Sequence, residues 1–139
     1  MRAVIWSWIP CISASHSFTK LVVDDLEAMA RYYGAVYGLT ELMRFQAEID
    51  GSPIDEIMLG TDGTRAGLIL LTFLDRDAPP NGEVIVGFTT DDIGALFERA
   101  VAAGGTVRGE IHDPGVQGAA LVGFLADPEG HLAEVVQTP

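Results

Sequence analysis

Few side chains in this sequence could carry out chemistry, and Glu134 is the strongest candidate. It lies in an apolar run, residues 132–136, directly after the turn Asp127-Pro128-Glu129-Gly130. A carboxylate in such a strand is costly to bury unless a metal ion, a hydrogen bond or a raised pKa compensates for it. Glu134 could therefore bind a ligand or act as a general acid or base. The alternative is a structural carboxylate bonded to a tyrosine or a backbone amide.

The three histidines are the other candidates. His16 lies two residues before Phe18 and would share its face on a regular strand, so it could join Glu134 and another subunit in a displaced metal site. A solvated residue at the strand entrance is the other interpretation of His16. His131, three residues before Glu134, is predicted to be a surface residue between turn and strand. His112 lies in a loop and is predicted to be solvated.

Composition excludes several classes of function. The 139 residues suit one compact domain, and the net charge of -12 opposes binding to nucleic acids and to anionic membranes. Cys11 is the only cysteine, so an internal disulfide and a cysteine-based zinc site are both excluded. No apolar run is long enough to span a membrane. The N-terminal apolar stretch is interrupted by Pro10, so we interpret residues 4–9 as an extra edge strand and expect a cytoplasmic location.

The elements that must position these side chains follow one pattern twice. Asp25 and Asp92 each precede apolar residues at helical spacing and are predicted helix N-caps. Strands are predicted before and after each helix, separated by glycine-rich and proline-containing turns. The predicted strands cover residues 18–23, 41–46, 54–59 and 67–74 in the first half, and 83–90, 106–111, 119–126 and 131–137 in the second.

The two halves also match residue by residue, which indicates a duplicated unit. Asp24-Asp25 and Asp91-Asp92 are 91 − 24 = 67 positions apart, and the same offset aligns Gly38 with Gly105. The last strands align at 131 − 67 = 64. The sequence therefore predicts an α+β fold of two tandem βαβββ modules. We assign residues 1–15 to an arm, 16–74 to module one, 75–82 to a linker and 83–139 to module two, all within a single domain of residues 1–139.

This pattern resembles the vicinal oxygen chelate superfamily, which includes glyoxalase I, extradiol dioxygenases and bleomycin-resistance proteins. The resemblance rests on three segments: VVDDLEAMARYYGAVYGL at residues 22–39, DDIGALFERAVAAGG at 91–105 and FLADPEGHLAEVVQ at 124–137. It implies that each module curls a mixed sheet into a cup. It also implies a homodimer in which cups are completed across subunits.

Metal-dependent members of this superfamily place one ligand on the first and one on the last strand of each module. By position these sites fall at Phe18 and Leu70 in module one, and at Ile85 and Glu134 in module two. Only Glu134 could donate to a metal, and one carboxylate cannot hold a catalytic divalent ion against water. We therefore expect no cofactor and disfavour a divalent metal.

The function predicted from the resemblance is binding of a small hydrophobic or aromatic molecule in the cup, as in drug sequestration or resistance. Phe18, Leu70, Ile85, Glu134 and His16 are the predicted ligand-binding residues, in a largely apolar pocket with one polar anchor. The alternative is a glyoxalase-like lyase, isomerase or dioxygenase that uses Glu134, with or without a displaced metal. A third interpretation is a structural or partner-binding module whose cup is filled by its own side chains.

Overall fold

Two four-stranded mixed sheets and two helices form the protein in the computed structural model, which describes residues 18–61, 67–80, 84–115 and 117–139. Module one contains β1 (Thr19–Val22), α1 (Leu26–Tyr37), β2 (Thr40–Ile49), β3 (Ser52–Gly60) and β4 (Leu68–Phe73). Module two contains β5 (Ile85–Thr90), α2 (Ile93–Ala102), β6 (Thr106–Val107), β7 (Leu121–Ala126) and β8 (Leu132–Gln137).

Both sheets have the same topology. The strand orders are β1-β4-β3-β2 and β5-β8-β7-β6, with parallel pairing between the first and last strand of each module and antiparallel pairing elsewhere. In each module a helix and two strands lie between the first and last strands along the chain, which gives the long connection that a parallel pair requires. The predicted fold of two tandem βαβββ modules is confirmed.

Local sequence signals explain where the elements begin and end. The side chains of Asp25 and Asp92 accept hydrogen bonds from the backbone N–H groups of Ala28 and Ala95, both at 3.0 Å, as predicted for N-caps. Gly38 ends α1 with a φ of 69°, which residues with a side chain rarely adopt.

The hairpin between β2 and β3 turns at Asp50 and Gly51, whose φ values are 50° and 81°. Two successive positive φ values give the tight turn that matches the twist of paired strands. The predicted turn at this point in module one is therefore confirmed.

The core lies between the helices and one face of each sheet. We call this face helix-proximal and the opposite face helix-distal. Side chains alternate between the two faces along each strand. The core includes these buried residues of both helices and both sheets: Leu21, Val23, Met29, Tyr33, Val36, Ile57, Leu59, Leu68, Leu70, Leu96, Phe97, Leu125 and Val135.

The structure differs from the predicted elements mainly at β6, which has two residues where the sequence predicts strand over 106–111. Arg108 still donates to the carbonyl of Phe124 at 2.9 Å, but Gly109 then adopts a φ of 84°, which breaks the extended chain. Residues 1–17, which include the predicted arm and His16, lie outside the described residues. Neither of the described helices has the length and apolar character needed to cross a membrane.

Candidate functional site

The turn between β7 and β8, residues 127–131, is the most polar buried part of the described chain, and it connects the two modules. Asp127 accepts backbone N–H groups from Glu129 and His131, both at 2.9 Å, and the hydroxyl group of Tyr33 at 3.0 Å. The Glu129 carboxylate accepts the backbone N–H groups of Asp24 and Asp25, both at 2.8 Å, just before α1. A turn of module two therefore holds the start of the helix of module one.

His131 lies at the centre of this connection and is 6% exposed. Its Nδ1 lies 2.8 Å from Oδ2 of Asp127, and its Nε2 lies 3.0 Å from the carbonyl oxygen of Val22. Both partners are acceptors, so both ring nitrogens must carry hydrogen, and the ring is the imidazolium ion. The sequence prediction of a surface residue is wrong, because the tight turn directs the ring back onto Asp127 and the end of β1.

The ion pair shifts the pKa of each partner. Burial alone would lower the pKa of His131, but hydrogen bonding to Asp127 and the charge of that carboxylate outweigh burial and raise the pKa above its ordinary value. Burial alone would raise the pKa of Asp127, but its hydrogen bonds to His131 and Tyr33 lower it. Each shift favours the charged form of its group, and we assign this turn a structural role.

Glu134 lies on the helix-distal face of module two. It pairs with Gly87 on β5 and with Phe124 on β7, and Ile85 lies on the same face two residues before Gly87. Glu134 is half-buried, and it makes no hydrogen bond or ion pair with the residues that the structure describes. A Cβ atom added to Gly87 would meet nothing within 4 Å, so open space lies beside the carboxylate.

The corresponding positions in module one show that one predicted site residue is misplaced. Phe18 and Ile85 are equivalent by the 67-residue offset. Ile85 pairs with Leu132 on β8. In module one Thr19 pairs with Leu68 on β4, so the residue in register with Phe18 is Gly67. The last strands therefore match at 132 − 67 = 65 rather than 64.

The residue equivalent to Glu134 is consequently Ile69, which is 0% exposed on the helix-distal face. Leu70 pairs with Leu21 and Ile57, points toward the helices and is 0% exposed within the core. The prediction that Leu70 lines the cup is wrong. An apolar run without alternation gives no signal that would fix its register to one residue.

The helix-distal face of module one carries an ion pair that the sequence analysis did not identify. Nζ of Lys20 lies 2.6 Å from Oε2 of Glu56, which is 3% exposed. Phe18, at the end of the same face, is 48% exposed, and the Lys20 ammonium lies 5.9 Å from the centre of its ring. The available sequence signal was the alternation of Glu56 with the apolar residues of β3. Its partner Lys20, 36 residues away, could not be inferred without the register of the strands.

In the observed register, the positions that the resemblance implies for metal ligands are Phe18, Ile69, Ile85 and Glu134, which together offer one carboxylate. Within the described ranges, no group of three or more His, Cys, Asp or Glu side chains is placed to hold a metal ion. These side chains therefore do not fit a catalytic divalent ion, which requires several oxygen, nitrogen or sulfur donors.

A cavity of about 540 Å³ lies between the two modules and is lined by residues of both, including Thr19 of β1 and the first residues of β5. Its described lining consists of Thr19, Leu39, Leu59, Gly60, Thr61, Gly67, Leu68, Val84, Ile85, Val86, Gly87 and Phe88. None of these side chains is ionisable, and only the two threonines are polar. The volume is in the range of small-molecule sites, and the lining suits an apolar ligand.

The structure brings together only part of the predicted site. Ile85 lines the cavity, and Glu134 shares its face on the neighbouring strand. Phe18 lies next to Thr19, which lines the cavity from the other module. His112 is exposed, as predicted, with Nδ1 3.1 Å from the carbonyl oxygen of Glu110, and its backbone forms an isolated β-bridge with Val122.

Comparison with known proteins identifies the family. The model of the Glyoxalase/Bleomycin resistance protein/Dioxygenase superfamily matches residues 15–135, and the chain belongs to this superfamily. No curated protein sequence matches the chain.

Solved structures agree with this fold. A glyoxalase-related enzyme from Fulvimarina pelagi is 26% identical, with a TM-score of 0.62, and the match covers 92% of this chain and 90% of that one. A glyoxalase family protein from Bacillus cereus is 18% identical, with a TM-score of 0.73, covering 88% and 92%. The trypanothione-dependent glyoxalase I of Leishmania major is 16% identical, with a TM-score of 0.72, covering 90% and 87%.

Proposed function

We propose that this protein binds a small apolar or aromatic molecule, without a metal ion, in the cavity between the two modules. The observation that carries the proposal is the lining of that cavity, where the described residues supply apolar side chains and two hydroxyl groups but no ionisable group. Such a surface gains affinity from the removal of apolar area from water and offers no group for acid–base chemistry. Sequestration of a drug or metabolite is one use of such a site.

The test is binding of N-phenyl-1-naphthylamine, an uncharged apolar dye whose fluorescence rises when it leaves water. We expect saturable binding to the intact protein. Ile85→Glu should weaken it about tenfold or more, because it removes an apolar contact and adds a charge to the cavity.

Val101→Glu is the matched control for this experiment. Val101, on α2, is 55% exposed, which is close to the 57% of Ile85. Unlike Ile85, it does not line the cavity. Equal loss of dye binding in both variants, or no binding by the wild-type protein, would contradict the proposal.

A second candidate function is supported by Glu134, a half-buried carboxylate without a partner in the described chain and with open space above Gly87. In this alternative the protein is a glyoxalase-like lyase, isomerase or dioxygenase in which Glu134 transfers a proton. Glu134→Gln should then abolish turnover while the neutral dye still binds. A detected turnover that survives this substitution would exclude the acid–base role.

The homodimer and the cytoplasmic location remain predictions. Two exposed apolar residues on the edge strand β2, Met43 and Phe45, support association with a second chain, since they are 56% and 37% exposed on the helix-distal face. Light scattering coupled to size-exclusion chromatography should give the mass of two chains, about twice 14.8 kDa. A mass of one chain at micromolar concentration would contradict the dimer.

A further inference from the structure

The described lining of the cavity contains a single aromatic side chain, that of Phe88. Phe88 pairs with Val135, which is 0% exposed within the core, so the Phe88 ring lies on the helix-proximal face of β5. Leu59 and Leu68 pair with each other in module one, belong to the core and also line the cavity. Because all three side chains lie on helix-proximal faces, we place the ring of Phe88 opposite these leucines in the cavity wall.

Two tyrosines of α1 hold the ring of Phe88 in place. Tyr37 stacks against it, with ring centroids 3.7 Å apart and an angle of 12° between the planes. Tyr33 lies against both rings, with centroids 5.6 Å from Tyr37 and 6.3 Å from Phe88. Tyr33 is 1% exposed and donates its hydroxyl group to Asp127 at 3.0 Å. A change in the rotamer of Phe88 would therefore break its contacts with an anchored aromatic cluster.

Phe88 is nevertheless only half-buried, so part of its ring remains accessible. Tyr37 covers one face, which leaves the opposite face and the ring edges for contact in the cavity. Aromatic rings attract each other both in offset stacking and edge to face, by more than the burial of their area provides. A ring that is already held in place also loses little freedom when a ligand binds. An aromatic ligand therefore gains a contact that a saturated ring of similar size cannot make.

We propose that Phe88 is a specificity-determining residue and that the ligand of this protein contains a planar aromatic ring that contacts it. Tyr37 and Tyr33 are positioning residues for Phe88. The inference rests on the proposed binding function and narrows the ligand from any small apolar molecule to an aromatic one. The described lining has no ionisable side chain, so this ring system should carry no charge.

The test compares two uncharged probes of similar size, the aromatic 2-naphthol and the saturated decahydro-2-naphthol, by isothermal titration calorimetry. The saturated alcohol has the larger apolar surface, so area alone would favour its binding. The wild-type protein should instead bind 2-naphthol about fivefold more tightly, the ratio expected for one aromatic contact. Phe88→Leu and Phe88→Met should bring this ratio to about one or below and keep the affinity for the saturated alcohol. Phe88→Tyr retains a ring and should keep the preference.

Phe124→Leu is the matched control, because Phe124 is also half-buried on a strand of module two but lies on the helix-distal face and does not line the cavity. It should keep the fivefold preference. If both probes bind to the wild-type protein with equal affinity, or if the preference survives in Phe88→Leu or Phe88→Met, this inference is wrong and the proposed function stands. If neither probe binds to the wild-type protein, both are wrong.

Discussion

The two modules share one topology, yet their helix-distal faces carry different groups at equivalent positions. In module one Lys20 lies beside Ile69, and its charge is balanced by Glu56. In module two the equivalent pair is Gly87 and Glu134, and this carboxylate has no partner among the described residues. The features that the modules share, such as the N-cap aspartates and the strand order, determine the fold. The features that differ lie on the helix-distal face.

The largest effect should come from breaking the connection between the modules. His131→Ala removes one partner of a buried ion pair and leaves the Asp127 carboxylate uncompensated, so we expect a loss of about 3–5 kcal/mol in the free energy of unfolding. Urea unfolding followed by circular dichroism measures it. His112→Ala, at an exposed histidine, is the control and should change stability by less than about 0.5 kcal/mol. Similar values for both variants would contradict the structural role of His131.

Two strand glycines of module two allow a sharper comparison between the faces. A Cβ added at Gly123 would lie 2.6 Å from Cζ of Phe97, on the helix-proximal face, whereas at Gly87 it would meet nothing within 4 Å. Gly123→Ala should therefore lower the free energy of unfolding by about 1–3 kcal/mol through overpacking. Gly87→Ala should leave it within about 0.5 kcal/mol. The same denaturation experiment measures both, and equal losses would place Gly87 in a packed environment.

The helix caps should show where the modules are alike. Asp25→Ala and Asp92→Ala each remove a side-chain acceptor at 3.0 Å from an N–H group in the first turn. We expect each to lower the free energy of unfolding by about 1 kcal/mol, and the double variant to lose the sum because the sites share no partner. A thermal or urea melt of the three variants checks this. Losses that differ several-fold would mean that the repeat is not preserved at the caps.

A smaller effect is expected from pH. The folded-state pKa of His131 lies above its ordinary 6.5, so its contribution to stability is complete below about 6.5 and is lost as the pH rises through the folded-state pKa. The folded-state pKa of Asp127 lies below its ordinary value of 3.8, so its contribution is present above that value and is lost as the pH falls through the folded-state pKa. The free energy of unfolding, measured from pH 4 to pH 10, should fall on the alkaline side more steeply in the wild-type protein than in His131→Gln. Parallel profiles would contradict the ion pair.

The fold could be predicted from the sequence because its signals are local and occur twice. Asp25, Asp92 and the turn at Asp50-Gly51 each act within a few residues, and the 67-residue repeat supplies the order of the elements. The site could be predicted only in part. Glu134 and Ile85 share a face because Glu134 on β8 is in register with Gly87 on β5, two residues after Ile85. Their placement in one site was predicted from the resemblance to the superfamily.

The remaining features depend on register and on contacts between distant residues. A continuous apolar run gives no means to choose between Ile69 and Leu70. The predicted residue, Leu70, points into the core. The pairing of Lys20 with Glu56 spans 36 residues, and the contact of His131 with Val22 spans 109. A lysine or a histidine in the sequence does not indicate its partner until the register of the strands is known.

The central claim is that this member of the superfamily binds an apolar molecule without a metal ion. The most direct test is to purify the protein without a histidine tag, dialyse it against Ni²⁺, Zn²⁺, Mn²⁺ or Fe²⁺, and measure metal content together with binding of N-phenyl-1-naphthylamine. We predict far less than one metal ion per chain and the same dye affinity with and without a chelator. About one tightly bound metal ion per chain, lost in Glu134→Gln, would contradict the claim.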